Sequence, residues 1–351
     1  MTVSKSFSRI TTAWSVTLAV SLHAIPVQAD FFCSKLLTSK PVSIKKEKLL
    51  IQTQLSVNAR NYLTRFNVTS EEALGRLNAT TLGINEAEYG VFKDYVRTAM
   101  EIRINQKPEL RGAVSEKGIL NLHQTRTSGG IPSPALRNER EAQLLGTKKS
   151  NYRRFESESK PKYGSVTLLG KKLHELANTN VSLGAKGFGS DSYVLNSDIA
   201  ARTSFFVDDS LLWTMNPNES FAHFLPLDRT DIFIHVILDR AKLNWAEFRS
   251  ALTEGGGALT ADELREVQFA KSQGLTHQSN EVMLLYLGLQ IDRNYFFETQ
   301  IWGELSPDAF RMVYLDPLTK VNPDQIKKWE GRKTEAYYLP DTETTQLEKL
   351  H

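Results

Sequence analysis

The chain has 351 residues, 40% apolar and 24% charged, a globular composition that excludes a disordered or membrane-embedded chain. Its 43 basic and 40 acidic residues leave a net charge of +3, too even for the clustered excess of a nucleic-acid-binding surface. The one cysteine, Cys33, excludes an internal disulfide and a cysteine-based zinc cage.

Residues 1–29 read as a secretory signal peptide. Lys5 and Arg9 give a positive start, Trp14 to Ile25 a short apolar run, and Pro26 to Ala29 a small-residue end before Asp30. The run is shorter than the ~20 residues that span a bilayer, so the mature protein is expected to be secreted or periplasmic, with no membrane span. Phe31 and Phe32 before Cys33 do not suit a lipoprotein cleavage site.

Residues 44–110 carry a helical rhythm, with apolar side chains at Leu49, Leu50, Leu55, Val57, Tyr62, Leu63 and Phe66. Ser70 before Glu71-Glu72 predicts a capped helix start, and INEAEYGVFKDYVRTAMEIRI predicts a further long helix that stops near Pro108. Near Gly112 the character changes to short apolar runs between Gly, Ser, Asn and Pro. GILNLHQT, KYGSVTLLG, GSDSYVLN, ARTSFFVDD, DIFIHVIL and YFFETQIWG each predict a strand. Helices are expected at Arg137–Leu145, Asn244–Thr253 and Thr260–Lys271, with a break at Gly255-Gly256-Gly257. Asn151–Lys162 predicts a solvated, charged connection. The fold class is α+β rather than regular βαβ. A helical N-terminal region (30–111) precedes a mainly β part with inserted helices (112–320) and a C-terminal tail (321–351).

Several chemistries lack their motifs. Gly184, Gly187 and Gly189 lie near a strand, but no Gly-Lys-Ser/Thr ending and no following helix make a nucleotide cradle. They mark a turn, or a backbone that passes close to a ligand. The histidines at 23, 123, 174, 223, 235, 277 and 351 form no metal-binding spacing, so no metal is expected. No Gly-x-Ser-x-Gly elbow occurs.

The segment Tyr295 to Gly303 is more informative. Strand alternation places Phe296, Glu298, Gln300 and Trp302 on one face. A carboxylate among aromatics is costly unless partnered. Such a group suits stabilising a positive charge or holding a sugar hydroxyl; a sheet-edge Glu paired with an Arg is the competing reading. In Leu120 to Gly130, Arg126 is placed to grip a phosphate and His123 a ribose, or the segment is a polar strand ending in a Ser-Gly-Gly turn. Arg202 reads as a solvent-facing arginine beside a core Phe205-Phe206 pair.

Lys162-Tyr163-Gly164-Ser165, Gly187-Phe188-Gly189-Ser190, Ala201 to Phe205 with Asp208-Asp209-Ser210, and Phe297 to Gly303 follow one another in an order that resembles a family of bacterial proteins. The architecture of that family is similar to the mono-ADP-ribosyltransferase fold of secreted toxins and effectors, ubiquitin-modifying effectors among them. The resemblance covers about residues 115–320. It implies a split β-sandwich that binds NAD as a substrate and transfers ADP-ribose to a target protein, such as one of a host cell. Glu298 matches the catalytic glutamate of the late strand. His123 or Arg126 matches the early-strand NAD contact, and which of them it is separates two subclasses. Tyr163, Ser190 and Ser204 match residues that shape the nicotinamide pocket. Phe296 stands where arginine-specific members carry a second glutamate, and no Ser-Thr-Ser triplet occurs, so the implied acceptor is not arginine. The alternatives are a secreted, non-enzymatic protein-binding module and a degenerate fold that binds NAD without cleaving it.

Overall fold

A computed structural model describes residues 44–125, 133–168, 189–207, 210, 223–241, 244–254, 261–272, 274, 281–289, 297–338 and 348–350. Three helices come first: α1 (Ile44–Arg65), α2 (Glu71–Thr81) and α3 (Glu86–Ala99). Ser70 caps α2 by accepting from the Ala73 amide, as its position predicts. Asn85 and Glu88 close a reciprocal capping box on α3.

The chain then departs from its expected course. The long helix ends at Ala99, and Glu101–Gln106 is strand β1. Its alternation was hidden in the helical rhythm: Ile102 and Ile104 enter the main core, whereas Glu101 and Arg103 pair with each other at 2.5 Å on the opposite face. Short helices α4 (Arg111–Lys117) and α5 (Leu122–Thr125) follow, then α6 (Pro134–Leu145) and α7 (Lys149–Tyr152). Strands β2 (Lys162–Thr167), β3 (Asp191–Leu195), β4 (Thr203–Val207) and β5 (Leu225–Pro226) lead to helices α8 (Thr230–Asp239), α9 (Trp245–Glu254), α10 (Ala261–Ser272) and α11 (Glu281–Leu289). Strands β6 (Phe297–Ile301) and β7 (Phe310–Leu315), helix α12 (Pro323–Gly331) and strands β8 (Glu335–Tyr338) and β9 (Glu348–Lys349) complete the order.

The described strands form one nine-stranded sheet, β5-β4-β6-β2-β1-β3-β7-β8-β9. Neighbours are antiparallel except β7 and β8. The α+β class holds. β1, read as helix, lies at the centre, so residues on both sides of Gly112 share one sheet and one core. The expected tail supplies β8 and β9 to the same sheet and α12, through Trp329, to the same core.

The two faces differ. One is apolar: Phe205, Phe297 and Ile301 pack with Phe233 of α8 and, in the same core, Phe92, Trp245 and Tyr286 of α3, α9 and α11. The other is aromatic at one end, where Phe206 and Trp302 meet Ile51, Leu55, Leu144 and Leu145 from α1 and α6. Beyond that cluster it turns polar.

Three further expectations are corrected. DIFIHVIL is helix α8, buried at every position from Asp231 to Leu238, and a continuous apolar run cannot separate a buried strand from a buried helix. Its Asp231 and His235 stand one turn apart: Asp231 accepts from Tyr89 at 2.6 Å and Lys93 at 2.7 Å, and His235 Nδ1 donates to the Leu74 carbonyl at 2.9 Å. GILNLHQT contributes a single bridge, Ile119 to Leu305, before turning into α5. The Asn151–Lys162 connection buries Tyr152, Phe155, Ser159, Lys160 and Lys162. Residues 1–29, Cys33 and Gly255–Gly257 lie outside the described residues. Among the described residues no helix is long and apolar enough to cross a membrane.

A buried ion pair fixes β3 against the chain on either side of it. Arg111 donates to Asp191 at 2.5 and 2.6 Å and to the carbonyls of Thr319 and Asp316 at 2.5 and 2.9 Å. Both side chains are buried. Removing one partner leaves an uncompensated charge, so Asp191→Ala is expected to lower the unfolding free energy by about 3–5 kcal/mol. Urea unfolding checks this, and an unchanged midpoint would contradict it.

Candidate functional site

The polar face is built by register. Glu298 lies opposite Ser165 of β2 and Phe206 of β4, and Gln300 lies opposite Tyr163 and Ser204. Directly opposed residues share a face, so Glu298, Gln300, Tyr163, Ser165 and Ser204 form one patch. Glu298, Gln300 and Ser204 are buried; Tyr163 and Ser165 are half-buried.

Hydrogen bonding gives this patch a direction. The Trp302 indole can only donate, and it donates to Ser204 Oγ at 3.0 Å. Ser204 therefore passes its own proton on to Gln300 Oε1 at 3.0 Å. That fixes the Gln300 amide, whose Nε2 donates to Glu298 Oε1 at 2.8 Å. Ser210 Oγ donates to the same oxygen. A chain of donors that starts at an indole must end on an acceptor, and a carboxylate is the group that meets two donors on one oxygen. Glu298 is 7% exposed, so its carboxylate is held ready-oriented away from bulk water.

A second carboxylate stands over the patch. α6 starts with Ser133 accepting from the Leu136 amide and Pro134 at its first turn, and ends at Gly146 in the left-handed region. Between these ends Arg137 and Glu141 are one turn apart and both buried. Glu141 Oε1 accepts from Tyr163 at 2.7 Å and Arg137 at 3.4 Å. Its Oε2 accepts from Tyr152 at 2.8 Å and meets His123 Nε2 at 2.7 Å. Burial alone would raise this carboxyl, but the bond and then the charge of His123, the bond from Tyr163 and the charge of Arg137 outweigh it and hold the group below its ordinary range. Burial, then the charge of Glu141, pushes the Tyr163 phenol well above its usual value; Glu298 adds to the effect. Tyr152 is raised for the same first two reasons.

The structure thus gathers three of the expected residues: Glu298 on β6, Tyr163 beside it on β2, and His123 on α5, joined to Tyr163 through Glu141. Ser204 is fully buried with its hydroxyl engaged on both sides, so it acts on the patch only through Gln300. Ser190 is not brought to the patch. It precedes β3, on the far side of β1, and donates to Asp316 Oδ2 at 2.6 Å. Strand spacing and rise put it about 20 Å from Glu298. Arg126 lies outside the described residues. Gly189 has φ +145° and an added Cβ would meet the Gln106 backbone, so its role is a close approach to its own chain. Arg202 is half-buried and donates to the Trp302 carbonyl at 2.8 Å rather than facing solvent.

The sequence pattern predicts only a helix over Arg137–Leu145 and does not single out Glu141 or Arg137. The available signal was an Arg and a Glu at i,i+4 spacing on the same helix stripe as Ala142, Leu144 and Leu145. Among the described residues no group of three or more His, Cys, Asp or Glu side chains could hold a metal ion. No family model matches the chain, and no curated protein matches it.

Glu141 also predicts an acid response. Its folded value is lowered, so the stability it contributes is present above the ordinary carboxyl value of 4.5 and is lost as pH falls through the folded value. Glu141→Gln is expected to cost on the order of 3 kcal/mol at neutral pH, because Arg137 loses its buried counter-charge. The gap between variant and wild-type urea midpoints should narrow on acidification below 4.5. A gap independent of pH would contradict this assignment.

Proposed function

We propose that the protein is an exported mono-ADP-ribosyltransferase that uses NAD as its substrate and modifies a target protein at a residue other than arginine. The observation that carries the reading is the fixed carboxylate of Glu298, held by Gln300 and Ser210 on the polar face of the sheet beside Tyr163. When nicotinamide leaves the ribose, positive charge develops at the anomeric carbon. A carboxylate oriented in advance and shielded from water stabilises that charge more than a mobile one in solvent. Gln300 and Ser210 keep the group from reorganising as the charge appears. Tyr163 remains a neutral phenol, and its ring offers an aromatic wall for a flat heterocycle. The order of motifs that resembles secreted transferases supports the same reading, with the described strands in one continuous sheet rather than the two sheets of a split sandwich.

A second reading, a secreted binding module without catalysis, is favoured by the complete internal pairing of Ser204 and of both Glu141 oxygens. Here Glu298 would be a structural carboxylate.

Glu298→Gln separates the two. The transferase reading predicts that NAD raises the melting temperature of both proteins, because a ligand that binds only the native state stabilises it. Nicotinamide release should fall by ~10²–10³-fold in the variant, the typical loss for one electrostatic stabiliser. Equal release from both proteins would contradict the role of Glu298. No melting shift with NAD in the wild type would favour the binding module.

A further inference from the structure

We propose that His123 and Glu141 form a general-base dyad whose unprotonated nitrogen takes the proton of a hydroxyl nucleophile, water or an alcohol, as it attacks the anomeric carbon. The proposal rests on the NAD-cleaving reading of Glu298 and adds the chemical class of the acceptor.

Glu141 is an ionised carboxylate and therefore only accepts, so the His123 nitrogen 2.7 Å away carries a hydrogen. That nitrogen is Nε2. In the neutral ring the lone pair is then on Nδ1, on the other side of the imidazole from Glu141. A carboxylate that orients a histidine and stabilises its charged form is the arrangement that makes an imidazole an effective base. Holding an imidazole and a carboxylate together in a largely dry site, with the His123 side chain 6% exposed and Glu141 3%, is otherwise costly.

The position agrees with the chemistry. Glu141 Oε1 takes the Tyr163 phenol, and Tyr163 stands opposite Gln300, one alternation from Glu298. Diagonal neighbours on a sheet face are roughly 7–8 Å apart, so Tyr163 stands beside Glu298 while its phenol is bonded to Glu141. One carboxylate stabilises the cationic carbon; the other serves the incoming oxygen. Two acid–base groups flanking one anomeric centre is the general plan of glycosyl transfer.

The step balances. The bond between the ribose anomeric carbon and the nicotinamide nitrogen breaks, with its electron pair going to nicotinamide, which leaves neutral. The hydroxyl oxygen bonds to that carbon, and its proton passes to His123 Nδ1. The resulting imidazolium is stabilised by Glu141. The other charged and titratable groups around the dyad are Arg137 from α6, Tyr152 from α7, Tyr163 from β2 and Lys160 from the turn before β2.

The test uses the full chain with NAD in the presence of methanol, or of agmatine as a guanidinium acceptor. His123→Gln keeps an N–H donor for Glu141 but no base. It should retain the NAD melting shift and the KM for NAD, and lose ~10²-fold or more of nicotinamide release and methyl-ADP-ribose formation. The wild-type reaction should slow in deuterium oxide and the residual variant reaction should not, a difference that a purely structural role would not produce. Should His123→Gln not fold, His123→Asn and the wild-type solvent isotope effect carry the same test. Wild-type rates in the folded variant, no isotope effect in the wild type, or transfer to agmatine in preference to methanol would each overturn the dyad while leaving Glu298 in place. Failure of the wild type to release nicotinamide under all these conditions would overturn the Glu298 reading, and the dyad with it.

Discussion

A carboxylate taken out of water must be met by donors that are already in position, and the Glu141 carboxylate meets that requirement by drawing four elements together. His123 comes from α5, Arg137 from α6 itself, Tyr152 from α7 and Tyr163 from the sheet. If any one were absent, a buried charge or phenol would be left with too few partners. This one group therefore fixes where α6 lies on the sheet, and with it the wall that closes the polar face. Below it, the one-way chain from Trp302 through Ser204 and Gln300 does the same for Glu298. The two carboxylates are tied to rigid elements rather than to surface loops, which suits a site whose geometry must not relax during a reaction.

The rest of the fold supplies the platform. The apolar face is anchored by aromatic contacts such as Phe205 with Phe233 at 5.0 Å and Phe92 with Trp245 at 5.6 Å. The Arg111–Asp191 pair locks β3 to the segment after β7, away from the carboxylates. The Arg111–Asp191 pair and the two carboxylates thus lie in different parts of the fold. Close backbone approach adds a further constraint at Gly164, where an added Cβ would lie 2.3 Å from the Arg103 carbonyl, so β1 and β2 meet beside Tyr163 without room for a side chain.

What the sequence disclosed follows the range of each interaction. Strand alternation is local, and it placed Glu298, Gln300 and Trp302 on one face as the structure has them. The cap at Ser70 is equally local. β1 was hidden because Met100 to Ile104 continues the apolar spacing of α3, with no Gly or Pro between them. α8 was hidden because all its positions are buried and neither period stands out. Glu141 could not be found from pattern, since its partners outside α6 lie 11 to 22 residues away and meet only after folding. Ser190 illustrates the opposite error: a motif adjacent in the chain's order is carried by β3 to the far side of β1.

The proposed transferase reading requires that NAD bind on the polar face between these two carboxylates. The most direct measurement is a carbon-13 NMR titration of glutamate side-chain carboxyls, with Glu298 and Glu141 assigned through their Gln variants. Saturable shifts of both resonances on addition of NAD are the predicted result. Resonances that stay in place at millimolar NAD, while the protein remains folded, would contradict this reading.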